Sequence, residues 1–276
     1  MRVTDFIRHR SNYPWEAVEQ GITVSGDVLV PPSKDMAANA AVVSWNAYGS
    51  PALFGKLCQD VGGEWIVMEN GYINRQQGWY AMGRSGWAGT ETPLPWLKWV
   101  TSKRWDSFGI PIPKWKQNGE FVLVCGQMGR NYSPLAMKDS WPTEIVNQLK
   151  AVTDRKIVYR PHPIRTVVPA ASCKNVVVDT ATPLAELLAK AKVTVVWTSN
   201  VATDSVLSGT PCVYCGPSVA VKEMIKQGVQ GLEEYCAHPF PIQPEVLWQL
   251  VWRQFHKDEL KSGRAWRIMT GREVPV

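Results

Sequence analysis

Three short groups carry side chains able to do acid–base and anion chemistry: Glu69-Asn70-Gly71, His162-Pro163 and Thr198-Ser199. Each closes a run that reads as a β-strand, and in an open α/β sheet ligands bind outside the carboxyl ends of the strands. Trp197-Thr198-Ser199-Asn200 leads from an apolar strand into a helix. Unpaired N–H groups and the positive end of the helix dipole favour an anion there. Thr198, Ser199 and Asn200 are the candidate phosphate ligands, although the same residue types also serve as plain helix caps. His162 stands between two prolines that fix its backbone. A pre-set imidazole beside a leaving phosphate donates a hydrogen bond or a proton, and Arg160 offers a forked cation to the same anion. The alternative is a rigid exposed turn. His238-Pro239 repeats the dipeptide, but no apolar strand precedes it. Glu69 is the candidate general base toward an acceptor hydroxyl, unless it is simply a solvated strand-end glutamate. An acid, a histidine and a hydroxyl pair on such edges suit transfer of a group from an anionic donor.

The elements that must position these residues are clearer in the second half. Residues 121–125 (F-V-L-V-C) read as a short buried strand, and 157–159, 176–178, 193–197 and 211–214 as further strands. Residues 142–152, 183–190 and 201–208 carry helical spacing between them. A loop with Gly129, Asn131 and Pro134 follows the first of those strands. Strands alternating with helices predict a parallel, doubly wound sheet. In the first half, 39–45 and 64–68 read as strands around a helix at 51–61, a second and smaller α/β unit. Residues 94–119, rich in Pro, Trp and Lys, read as a functional loop and linker. Residues 243–261 read as one final helix with Val246, Leu247, Leu250 and Val251 on its apolar side. The expected division is one unit at 1–118 and a second at 119–276, an acceptor-binding and a donor-binding half by the family resemblance that follows.

With 276 residues, one large or two medium domains are possible, and 45% hydrophobic with 20% charged residues is ordinary for a folded protein. No stretch approaches the ~20 apolar residues of a membrane span, and the charged start of the chain is no secretory signal. A cytoplasmic protein with reduced cysteines is expected. Cys212 and Cys215 form a lone C-x-x-C inside an expected strand, and a structural role outweighs redox or zinc chemistry. The net charge of +6 favours a polyanionic partner without choosing one. No D-x-D and no His/Cys/Asp cluster at metal spacing is seen, so transfer without an essential metal is expected. P-loop and G-x-S-x-G motifs are absent.

The ordered set resembles the acidic-x-Gly, His-Pro and Ser/Thr-Ser motifs of bacterial capsule and sialic-acid-type glycosyltransferases of GT-B fold. Val193-Thr194-Val195-Val196-Trp197-Thr198-Ser199, continuing to Gly209-Thr210-Pro211, is similar to the donor half of such enzymes. The resemblance implies two Rossmann-like parallel-sheet domains facing a cleft and a UDP- or CMP-linked sugar as substrate, with no other cofactor. It also implies Glu69 as base and His162, Thr198 and Ser199 at the donor phosphate. Asn70 departs from the pattern, which has a second acidic residue there. Residues 69–89 further resemble small bacteriophage glycosyltransferases, some of which decorate hydroxymethylated pyrimidines in DNA. That resemblance makes DNA the preferred acceptor, with a surface polysaccharide or teichoic-acid-like polymer as the alternative. A non-catalytic nucleic-acid-binding protein on the same fold is the third reading. Lys98, Trp99, Lys103, Arg104, Trp105, Lys114 and Lys116 interleave cations with indoles that track phosphates and stack on bases. Otherwise their tryptophans pack inward while the lysines reach water. The oligomeric state is open.

Overall fold

The computed structural model describes residues 1–7, 9, 11–32, 40–128, 135–164, 166–173 and 175–275. The expected loop at Gly129, Asn131 and Pro134 lies outside them, as does Asn39. The chain forms two compact units, Met1–Gly109 with Leu247–Val276, and Ile110–Val246. The expected boundary at 118/119 therefore falls inside the second unit. The last thirty residues, expected there, belong to the first.

The strands are β1 (Arg2–Phe6), β2 (Val28–Leu29), β3 (Ala40–Trp45), β4 (Glu64–Asn70), β5 (Trp79–Arg84) and β6 (Phe121–Cys125). They continue with β7 (Lys156–Arg160), β8 (Val176–Val178), β9 (Ala191–Val196), β10 (Cys212–Tyr214), β11 (Lys226–Gln227) and β12 (Gln254–His256). The helices are α1 (Trp15–Val24), α2 (Ser50–Asp60), α3 (Lys103–Asp106), α4 (Trp141–Lys150) and α5 (Leu184–Lys190). After them come α6 (Val201–Leu207), α7 (Leu232–Ala237), α8 (Pro244–Val251), α9 (Lys257–Lys261) and α10 (Arg264–Met269).

The first unit's sheet has the order β12-β5-β4-β3-β1-β2. From β4 to β2 it is parallel, while β5 runs antiparallel to β4 and β12 antiparallel to β5. The sheet is thus mixed rather than parallel throughout. Both faces are covered, so residues 40–43 of β3 and 65–68 of β4 are apolar on both sides of the sheet. Ala41, Val43, Ile66 and Met68 join one cluster, and Ala40, Val42, Trp65 and Val67 the other, an alternation of period two.

The single helix expected at 243–261 is broken. α8 stops at Val251, Gln254–His256 forms β12, and α9 follows. The edge of β5 offers unpaired backbone groups, and residues 254–256 pair with them in register from Ala81 to Trp79. The fully buried Gln254 side chain also accepts the Ile73 N–H at 2.9 Å.

The second unit's sheet is parallel throughout, in the order β11-β10-β9-β6-β7-β8. Counted within the unit this is 3-2-1-4-5-6, the doubly wound dinucleotide-binding order, with its switch point between β6 and β9. Trp141, Ile145, Val146 and Leu149 of α4 pack with Val122, Val124, Val193 and Val195. In the expected loop at 94–119, residues Pro95–Trp99 form a 3-10 turn, α3 follows, and Trp96, Leu97 and Trp105 are buried. Among the described residues no helix is long and apolar enough to cross a membrane.

Candidate active site

In the second unit the last paired rung joins Cys125 to Arg160 on one side and to Val196 on the other. Two residues beyond that rung lie Gln127, His162 and Thr198, on three neighbouring strands. Arg160, His162, Thr198, Ser199 and Asn200 are therefore brought together on one carboxyl edge, at the switch point. Adjacent parallel strands are ~4.8 Å apart, so the His162 and Thr198 loops stand roughly 10 Å apart across β6, a span suited to a phosphate-bearing ligand.

The five residues do not share one task. Thr198 is 2% exposed. Gln127 Nε2 donates to Thr198 Oγ1 at 2.8 Å, and the Thr198 N–H donates to Gln127 Oε1 at 2.9 Å. The Thr198 hydroxyl also lies 3.0 Å from the Leu135 carbonyl. Thr198 ties β9 to β6 and is no phosphate ligand, because its hydrogen-bonding capacity is used inside the fold.

Ser199 is half-buried, and its Oγ accepts the Val201 N–H at 3.3 Å, which leaves its O–H as a donor. α6 has seven residues, so its dipole is short and the weight of anion binding falls on side chains. Asn200 is the residue preceding α6. Arg160 ends β7, half-exposed.

His162 is half-buried, and its Nδ1 accepts the Ile164 N–H at 3.2 Å. The neutral ring therefore carries its proton on Nε2. Burial holds the His162 pKa below 6.5. Near neutral pH it offers an uncharged Nε2–H donor.

Two glycines let the loops approach. A Cβ on Gly126 would stand 2.5 Å from the Tyr159 hydroxyl, and one on Gly216 2.4 Å from Thr198 Cγ2 and 2.8 Å from the Trp197 carbonyl. In the sequence Gly126 and Gly216 read only as strand ends, and Gln127 was not singled out. Nor was Ser218, a buried serine two residues past Gly216, whose Oγ has no hydrogen-bond partner among the described residues. The strand-then-Gly-Pro-Ser pattern at 216–218 was the available signal.

Glu69 belongs to the first unit. The strand does not end before it, as expected, but runs through Asn70, with Glu69 opposite Ala81 and Asn70 opposite Tyr80. The turn comes later, at Asn74 (φ 54°), Arg75–Gln77 and Gly78 (φ 82°). Glu69 still lies one residue past the end of β3, since Trp45 pairs with Met68. Its Oε1 accepts the Asn70 N–H at 3.0 Å and the Asn70 side-chain amide at 3.2 Å. Asn70 thus orients the carboxylate.

The seven residues expected to hold nucleic acid divide. Arg104 donates from Nε to the Val251 carbonyl and from Nη2 to the Gln254 carbonyl, both at 2.9 Å. It grips Glu259 through two bonds of 2.8 and 2.7 Å and lies 4.4 Å over the Trp252 ring. Trp105 is 2% exposed in the core. The Lys116 ammonium donates to the Leu188 and Ala189 carbonyls in the last turn of α5. Burial, with Lys192 nearby, lowers the Lys116 pKa. These three hold the fold. Lys98, Trp99, Lys103 and Lys114 remain exposed, with Lys98 Nζ 4.4 Å over the 70%-exposed Trp99 ring. A groove of about 540 Å³ in the first unit is lined by Trp99, Lys103, Arg104, Trp252 and Arg264 among others. The basic stretch is also divided, with Lys114 and Lys116 in the second unit.

All six cysteines are free, and burial pushes the Cys212 thiol well above its usual range and Cys215 up to about 12. Neither is set up for redox or metal chemistry. The expectation of no metal-spaced cluster is corrected: Asp5, His9 and Glu19 offer ligand atoms within 4.8 Å of one another.

No protein-family model matches the sequence, and no curated protein sequence matches it. Two solved structures from Thermosulfurimonas dismutans are similar in fold. One is KpsC, beta Kdo 2,4 transferase, with a TM-score of 0.58 and 13% identity, covering 91% of this chain and 89% of that one. The other is KpsC, beta Kdo 2,7 transferase, with a TM-score of 0.56 and 12% identity, covering 91% and 90%. At such identity the likeness shows the fold, a GT-B-like pair of Rossmann-type α/β units, and fold alone does not fix function.

Proposed function

We propose that this protein transfers a sugar from a nucleotide-activated donor to a hydroxyl acceptor. The observation that carries the reading is the meeting of Arg160, His162 and Ser199 on the carboxyl edge at the second unit's switch point. In this role the Arg160 guanidinium pairs with the donor phosphate, while the His162 Nε2–H and the Ser199 hydroxyl donate to it. These contacts strengthen as the phosphate gains charge, which is where they accelerate reaction. The acceptor oxygen bonds to the anomeric carbon, and the carbon–oxygen bond to phosphate breaks with its electron pair leaving on the nucleotide. Glu69, oriented by Asn70, takes the acceptor proton. Because the Arg160 cation and the N–H and O–H donors of His162 and Ser199 meet the phosphate, donor binding is expected without a divalent metal and should persist in a chelator.

The acceptor we favour is a saccharide hydroxyl on a surface-type polymer. The fold relatives are named as Kdo transferases, and Arg104, Trp105 and Lys116 are engaged inside the fold rather than offered to nucleic acid. A second reading, a hydroxymethylated pyrimidine in DNA, draws on exposed Lys98, Trp99 and Lys103. A nucleotide donor and six free thiols fit a cytoplasmic setting.

The test is to incubate the protein with CMP- and UDP-linked sugars and each acceptor class, following nucleotide release and product mass. Consumption of one donor with an oligosaccharide is expected. Glu69→Gln should lower turnover about 100-fold or more with donor affinity kept. If every donor stays intact and none raises the melting temperature, the reading fails. Transfer to hydroxymethylated DNA alone would replace the first acceptor with the second.

A further inference from the structure

The first unit's parallel strands follow the order β2-β1-β3-β4, so its own switch point lies between β1 and β3. Asp5 sits there, the penultimate residue of β1 and paired with Val43 of β3. Its side chain is 7% exposed, and Oδ1 accepts the Ile7 N–H at 2.6 Å. Oδ2 is buried, receives no N–H or O–H donor from the described residues other than through the Glu19 carboxyl when the two acids share a proton, and faces His9 Nε2 at 3.8 Å. Glu19, from α1, brings Oε1 to 3.4 Å from the same nitrogen. The His9 ring is held flat on Trp15, with centroids 4.5 Å apart and planes 7° from parallel. Burial, and the Glu19 carboxylate after it, push the Asp5 pKa up to about 7, against the Ile7 N–H that favours the ionised form. Two carboxyl groups and an imidazole nitrogen thus converge where a positive charge is wanted.

We propose that Asp5, His9 and Glu19 form a site for a first-row divalent cation such as Mn²⁺, Co²⁺ or Zn²⁺. Ligand atoms each about 2.0–2.2 Å from one ion at tetrahedral angles lie roughly 3.3–3.6 Å apart. The 3.4 Å between Glu19 and His9 already lies in that range, the 3.8 Å between Asp5 and His9 must close by tenths of an ångström, and the two carboxylates lie within 4.8 Å of each other. A cation would replace the proton that the Asp5 and Glu19 carboxyl groups otherwise share and give the buried Oδ2 a charged partner. One imidazole with two carboxylates suits these ions, whereas Mg²⁺ and Ca²⁺ prefer all-oxygen shells. Three protein ligands leave coordination positions open, and the His9 side chain, 57% exposed, shows that water reaches them. The site concerns a unit other than the one assigned the donor phosphate, so it stands or falls independently of the transfer reaction.

The experiment titrates Mn²⁺ into the metal-free full-length protein, reading free ion by its electron paramagnetic resonance signal. Mn²⁺ is chosen because buried thiols take it up poorly. One equivalent should bind, Zn²⁺ should displace it, and Glu19→Gln and Asp5→Asn should each weaken binding at least tenfold. Melting curves of the metal-free variants check the fold, and Glu19→Gln, on a partly exposed helical position, keeps the test valid if Asp5→Asn unfolds. Absence of a stoichiometric site, or equally tight binding by folded Glu19→Gln, would overturn the proposal.

Discussion

Thr198 and Ser199 are adjacent hydroxyl residues with different fates, and the difference is measurable. Thr198→Val should destabilise the protein by about 1–3 kcal/mol, because Gln127 and the Leu135 carbonyl lose a buried partner. Ser199→Ala should leave stability nearly unchanged and weaken nucleotide binding about tenfold. Urea unfolding and calorimetric titration of the two variants separate these outcomes. The pair was legible as a strand-end hydroxyl motif. Which member faces the ligand was not, since that depends on Gln127, seventy-one residues away in sequence. His162 carries a pH signature. Its folded pKa lies below the unfolded 6.5 because burial disfavours the charged ring. Below 6.5 the unfolded chain binds the proton more readily, so this contribution is intact above that value and lost as pH falls toward the folded pKa. His162→Gln should flatten the part of the stability profile that falls as pH drops below about 6.5, read by urea melts.

Among the elements, the second unit was readable because short apolar parallel strands, buried at β6 and β9 and exposed at the edge in β8, stand between helical stretches. β6, β8 and α6 fall within a residue of their expected bounds. What failed was pairing that no local period announces. β12 looks helical between its neighbours and becomes a strand because β5 presents an open edge. β1 and α1 were not recognised, so Asp5 and His9 read only as part of a charged chain start and Glu19 was not singled out. The tight strand ends make a prediction. Gly216→Ala places a methyl 2.4 Å from Thr198 Cγ2 and 2.8 Å from the Trp197 carbonyl, and backbone atoms cannot all yield. A loss of about 1–3 kcal/mol is expected, with donor affinity falling as the β9 loop shifts. An unchanged melting temperature and affinity would remove Gly216 from the positioning of that loop.

For the whole molecule, the chain returns to its first unit after completing the second, and Arg104 is the clasp of that return. Its bonds to Val251, Gln254 and Glu259 join α3 to the C-terminal segment. Arg104→Ala should cost about 2–3 kcal/mol, since the largely buried Glu259 carboxylate loses its two-bond partner and is left with Arg264 and the His256 N–H, and chemical unfolding would register it. In sequence that arginine was indistinguishable from a phosphate-binding one, because its partners lie about 150 residues on. The central claim is that the second unit's carboxyl edge holds the phosphate of a nucleotide donor. Calorimetric titration with CMP, UDP and their sugar conjugates tests it most directly, using wild type, Arg160→Ala and Ser199→Ala. One nucleotide should bind at one per chain with affinity reduced about tenfold or more in both variants, a loss of about 1.4 kcal/mol each. Binding that both folded variants retain in full, or no binding of any nucleotide, would contradict it.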